Sequence, residues 1–227
     1  MKKYLVLILG ILAVGAVMAA TATPTEIPNK SLTPSTNAEK DMSYYGTPTY
    51  YWTLTGSNWT PACYFEPAKF SVATNFRIKT IGNMGYSSNG NCNIYIYLNE
   101  TSGHPNDTPP TFTNKKYGPF AWHINASYPN MDDANVYSLN WYLKISDVNA
   151  TPNKRFWVLW HMPTSPPPYP ISDESTNAKN SLIYYPGTGW TNTISGYYPC
   201  WCTHVVVEYP PAAVSNTSVG VVKALFN

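Results

Sequence analysis

No stretch of this chain carries an apolar period of 3.6 residues over three turns, and that removes a helical bundle from consideration. Short alternating runs take its place, set between Gly, Pro and Asn. The clearest is residues 93–98, where Ile94, Ile96 and Leu98 share one face of a strand and Tyr95 and Tyr97 the other. Residues 63–65, 76–81, 136–145, 181–185, 190–194 and 203–209 read as further strands. Residues 156–162 are apolar without alternation, as a central strand buried on both faces would be. The glycine- and asparagine-rich segment 82–91 and the segment 104–110 read as connections. Five prolines within 163–170 exclude a helix or a central strand there.

Composition agrees with this pattern. Charged residues are 11% and aromatics 15%, with 19 Tyr and 8 Trp, in a chain of 227 residues. Many aromatics, many turn-formers and few charges suit an all-β domain. The net charge of +2 offers no basic field for nucleic acid. The expected fold is all-β: an antiparallel β-sandwich of jelly-roll type, with a flexible N-terminal arm and a short C-terminal β-prone tail.

The chain divides into four parts. Residues 1–22 read as a signal peptide: Lys2 and Lys3, then an apolar run from Tyr4 to Met18, then Ala20-Thr21-Ala22 as a small-x-small cleavage signal, with sites one or two residues earlier fitting too. After cleavage no segment is long and apolar enough to cross a membrane. Residues 23–48, rich in Thr, Pro and Ser, read as an arm or linker, and residues 49–210 as the sandwich domain. Residues 211–227 follow a double proline as a tail whose β-prone part, 218–226, reads as an edge strand or as a strand donated to a neighbour. In the second case Val219 and Val221 anchor one face, with Val222 and Ala224 following after a change of register or facing the opposite way.

An even count of cysteines in an exported chain points to disulfides. Cys63, Cys92, Cys200 and Cys202 allow three pairings, and bridges from Cys63 and Cys92 to the C-terminal pair are favoured because a Cys200–Cys202 bridge would be strained. Cys200-x-Cys202-x-His204 resembles half a metal site, but an oxidising compartment favours disulfides, so neither metal nor cofactor is expected. The motifs of common hydrolases and phosphate-binding loops are absent from the sequence. Glu66, Asp133 and Asp173 read as solvated loop carboxylates, His104 as solvated and His161 as packed with one hydrogen bond. Trp59, Trp122, Trp190 and Trp201 fall near turns or strand ends, where exposed rings could stack on sugars. Asn-x-Ser/Thr sequons at Asn29, Asn58, Asn99, Asn106, Asn125, Asn149 and Asn216 would place glycans on an exported surface.

The order of these motifs resembles the β-sandwich modules of secreted bacterial surface proteins, similar to choice-of-anchor and carbohydrate-binding jelly rolls. The matching segments are 62–70, 76–81, 92–99 followed by Gly103-His104-Pro105, 156–160, Asp173, 181–185, Gly187 to Trp190, and 204–208. In that family the module is usually an accessory part of a larger protein, whereas here it stands nearly alone. The expectation is a non-catalytic extracellular or cell-surface structural protein, a self-assembling fibre subunit using strand exchange. Its partners would be further copies of itself or other cell-surface proteins, and glycans in the alternative reading of an accessory carbohydrate-binding or adhesive module.

Overall fold

The computed structural model describes residues 20–26, 40–72, 75–86, 90–98, 103–124, 131–135, 148, 155–173 and 180–209. Among them are fourteen strands: β1 Ala22–Glu26, β2 Lys40–Ser43, β3 Tyr50–Leu54, β4 Thr60–Phe65, β5 Arg77–Tyr86, β6 Gly90–Leu98, β7 Tyr117–Ile124, β8 Met131–Asn135, β9 Phe156–His161, β10 Tyr169–Asp173, β11 Ser181–Tyr185, β12 Gly189–Thr191, β13 Cys200–Trp201 and β14 Thr203–Glu208. They form two antiparallel sheets, the expected sandwich. One follows the order β1-β3-β10-β5-β14-β2, with β13 beside β10 and β8 beside β5; the other runs β12-β11-β4-β9-β6-β7. A ribbon rolled into a sandwich pairs its strands concentrically. The pairs β6–β9, β5–β10 and β4–β11 are of that kind, whereas β3 pairs with β1 and β10, and β14 with β5 and β2.

Side-chain alternation builds two cores on the six-stranded sheet, and a third, smaller cluster of Met84, Ile171 and Cys202 lies on the other sheet. Cys63 and Phe65 of β4, Cys92, Ile94 and Ile96 of β6, and Phe156, Val158 and Trp160 of β9 face the eight-stranded sheet, where they meet Trp52, Ile78, Ile81, Val205 and Val207. Their neighbours Ala62, Tyr95, Tyr97, Trp157 and Leu159 point the other way into a second core closed by Phe112. The six-stranded sheet is therefore buried on both faces at its centre, and all six residues of β9 are buried, as its unbroken apolar run predicts. Rings pack edge-to-face or stacked through the inner core: Trp52 on Trp201 at 6.1 Å, Phe65 on Phe156 at 5.5 Å and Tyr44 on Phe70 at 4.8 Å. Each large ring buried in this way stabilises the fold by roughly 2 kcal/mol or more.

Several expectations are corrected. The presumed linker holds strand β2 and all of β1 but its first residue, Ala22, which falls in the presumed leader; the two strands lie one at each edge of the eight-stranded sheet. Edge strands are held by ladder bonds and need no apolar period, so composition hides them. Residues 82–86, read as a turn, continue β5. The reason is close approach: a Cβ at Gly85 would lie 2.8 Å from Ile124 Cδ1, and one at Gly90 would collide with the Pro168 ring. Central strand β10 begins inside the proline-rich stretch. Its Pro170 lies opposite Gly85, one residue before the ladder with β3 opens at Ile171, so the missing N–H breaks no bond on that side. Strands β7 and β8 were not anticipated, and residues 136–145 lie outside the described residues.

The expected disulfides are also absent, since all four cysteines are free and buried. Cys63 is level with Val158, and Val158 with Ile96. Cys92 lies four residues farther along β6, hence about 10 Å across and about 13 Å along the sheet from Cys63. Cys63 does approach the C-terminal pair, with Sγ 3.5 Å from Ser181 Oγ and 3.9 Å from the Trp201 carbonyl oxygen, but as a thiol. Burial pushes the Cys63 thiol up to about 11 and raises those of Cys92 and Cys202 well above their ordinary value, so all three stay protonated at neutral pH.

Candidate functional site

The segment between β6 and β7 folds over the outer face of the six-stranded sheet and is fastened there by Asp107. One carboxylate oxygen, Oδ2, accepts hydrogen bonds from the Tyr97 hydroxyl at 2.5 Å and the Asn114 amide at 2.8 Å; the other accepts from the Thr113 hydroxyl at 3.0 Å. Burial opposes the charge, but these donors outweigh it and hold the carboxyl below its ordinary range. Phe112, at a positive φ of 45°, stacks on Tyr95 with ring centres 4.1 Å apart and meets His161 edge-on at 4.7 Å. His161 is buried and its Nδ1 lies 3.0 Å from the Thr60 hydroxyl, the single hydrogen bond expected of it. Burial lowers its pKa to about 4, so the ring is neutral at pH 7.

The same segment positions Trp190. The β11–β12 hairpin turns through Gly187 and Gly189, both at positive φ, and presents the indole against the loop. Trp190 Nε1 donates to the Asp107 carbonyl oxygen at 2.8 Å. Tyr184 packs edge-on to the indole at 5.6 Å, and exposed His104 lies nearly parallel to it at 6.5 Å. The result is a half-exposed ring fixed by the Asp107 carbonyl and flanked by two further rings, Tyr184 and His104.

The other proposed aromatic platforms separate sharply. Trp59 and Trp201 are core residues and so offer no platform: Trp59 Nε1 donates to the Thr55 carbonyl and Trp201 Nε1 to the Leu182 carbonyl. Trp122 is half-buried on β7 against Trp160 at 5.6 Å. Asp173 is buried as well, contrary to its reading as a solvated carboxylate, and accepts a hydrogen bond from the Gly46 amide. Glu66 pairs with Lys69. Of the sequons, Asn106 is exposed, while Asn58 is half-buried at a positive φ of 67° and the Thr60 of its sequon is fully buried. Asn29, Asn99, Asn125, Asn149 and Asn216, together with Val219, Val221, Val222 and Ala224, lie outside the described residues.

The sheet edges form the second feature. Strand β7 pairs with β6, and among the described residues no strand lies on its other side. Phe120 and Trp122 are half-buried there, and Ala121 and His123 are exposed. At the far edge of the other sheet, β1 pairs with β3 from Ala22 opposite Leu54 to Glu26 opposite Tyr50. Sequence reasoning missed Asp107, Tyr184 and the β1–β3 edge. Asp107 acquires its role from Tyr97 and Trp190, partners on other elements that no local pattern marks.

No family model, curated protein or solved structure matches the chain.

Proposed function

We propose that this chain is a non-catalytic extracellular structural protein, a fibre or cell-surface subunit that self-associates by strand exchange. The observation that carries this reading is the edge of β7. From Phe120 to Ile124 it offers a row of backbone groups beside half-buried apolar rings, a surface suited to a further strand. The β-prone residues 218–226 of a second copy are the occupant, with Val219 and Val221 toward the rings. In the sequence, Pro210-Pro211 stands between that segment and β14. The leader at residues 1–22 supports export, and the sequons support a glycan-coated surface, with exposed Asn106 as the foremost acceptor. Deleting residues 212–227 is expected to abolish assembly seen by electron microscopy while leaving the β-sheet circular dichroism intact. Unchanged assembly would refute the C-terminal donor.

A second reading is favoured by Trp190 alone. A half-exposed indole locked by the Asp107 carbonyl and flanked by Tyr184 and His104 suits stacking on a sugar face, as in an accessory carbohydrate-binding or adhesive module of the kind the sequence resembles. On this reading Trp190→Ala removes glycan-array binding at least tenfold and leaves the melting temperature nearly unchanged. Binding that survives the substitution would place the sugar site elsewhere.

A further inference from the structure

We infer that the Trp190 ring is the seat of the chain's own glycan: the first sugar carried by Asn106 packs its apolar face against the indole. Burial alternates along the segment that crosses the ring. Pro105, Asp107 and Pro109 are buried, and His104, Asn106, Thr108 and Pro110 are exposed. The Asp107 side chain accepts from Tyr97, Thr113 and Asn114. The Asn114 side-chain amide donates to the Asn106 carbonyl at 2.9 Å. The backbone at Asn106 is thereby held, while both polar members of the Asn106-Asp107-Thr108 sequon lie on the exposed side.

The same segment brings that asparagine to the ring. The carbonyl that accepts from Trp190 Nε1 at 2.8 Å belongs to the very next residue, Asp107. His104, nearly parallel to the indole at 6.5 Å, is two residues back, at most about 7 Å along the chain. An indole has one polar group, its N–H, which only donates. The Asp107 carbonyl uses it, so what the half-exposed ring has left to offer is an apolar face. The matching ligand is the C–H face of a pyranose. A sugar joined to Asn106 meets that face at an effective concentration on the order of millimolar, with no sugar free in solution.

Asn58 is the contrast among the described residues. Trp59 of its sequon is buried with its N–H on the Thr55 carbonyl, and Thr60 is fully buried against His161. That sequon is folded into the sandwich, whereas the one at Asn106 lies on the surface. Attachment forms a bond between Asn106 Nδ2 and the anomeric carbon of the sugar. It breaks the bond from that carbon to the phosphate oxygen of a lipid-linked oligosaccharide, and the amide proton leaves with the lipid phosphate. The inference rests on the reading of an exported, glycan-bearing surface and is independent of strand exchange. In the glycosylated chain, the platform that the second reading offers to a foreign sugar is filled from within.

The test is a thermal cycle on the chain secreted from cells that glycosylate Asn-x-Ser/Thr sequons, with glycopeptide mass spectrometry reading the occupancy of Asn106. Asn106→Gln and Thr108→Ala remove the glycan in two independent ways, Trp190→Ala removes the ring, and Asn106→Gln with Trp190→Ala removes both. Asn106 is expected to be occupied. Each glycan-removing variant is expected to lower the melting temperature by roughly 2–4 °C, and Asn106→Gln to cost nothing more once Trp190 is gone. Nuclear Overhauser contacts between the first sugar and the Trp190 indole are expected in the parent chain. A glycan whose loss costs the same with and without Trp190 would overturn the packing and leave the glycan-coated surface standing. An unoccupied Asn106 would overturn both at this position. If Trp190→Ala loses its β-sheet circular dichroism, the Overhauser contacts decide, and their absence from an occupied parent chain overturns the inference.

Discussion

Asp107 and His161 are buried titratable groups held beneath the same loop in opposite ways. Asp107 is kept charged by three donors, and its stabilisation is complete above the ordinary carboxylate range and lost only as pH falls below it. His161 is kept neutral by burial, with a folded value of about 4 against about 6.5 in an unfolded chain. Its depressed value means that the unfolded state takes up the proton first. Stability is therefore full above about pH 6.5 and declines as pH falls toward 4, by up to about 3 kcal/mol. The melting temperature is expected to fall across that window, and His161→Gln to flatten the fall. A parent profile that is level from pH 7 to pH 4 would contradict a neutral, buried His161. The packing of this histidine was legible in the sequence because it ends an apolar run. The free thiols were not: an even cysteine count says nothing of register, and register sets Cys92 far from Cys63 and so from the C-terminal pair beside Cys63.

At the scale of elements, glycines marked both turns and strands. Gly187 and Gly196 lie in tight turns at positive φ, as glycine-rich connections should. Gly85 and Gly90 lie instead in strands, where the facing side chains leave no room for a Cβ. Gly90→Ala is expected to cost about 1–3 kcal/mol by overpacking against Pro168, lowering the melting temperature by roughly 3–10 °C. Gly103→Ala, with nothing within 4 Å of the added carbon, is the control that should change little. Equal melting temperatures for the two variants would contradict the close approach at Gly90. Strands β6 and β9 were legible because their own side chains fill a core on both faces. Strands β1, β2 and β10 were not, since their partners and not their sequences make them strands. Prolines at Pro24 and Pro170 occupy positions where the ladder does not need them.

For the whole molecule, the sandwich of two antiparallel sheets was legible from alternation and turn spacing. The second, outer core was not, because Phe112 and Asp107 reach it from a loop that reads as solvated. That outer layer leaves the six-stranded sheet covered at its centre and accessible along β7. The eight-stranded sheet ends in a strand, β1, that comes from the chain's N-terminal arm. Self-association through the β7 edge is the central proposal, and negative-stain electron microscopy of the secreted chain at high concentration tests it most directly. Ordered filaments are the expected result. Dispersed monomers would contradict it and would leave the fixed Trp190 ring as the basis of the chain's function.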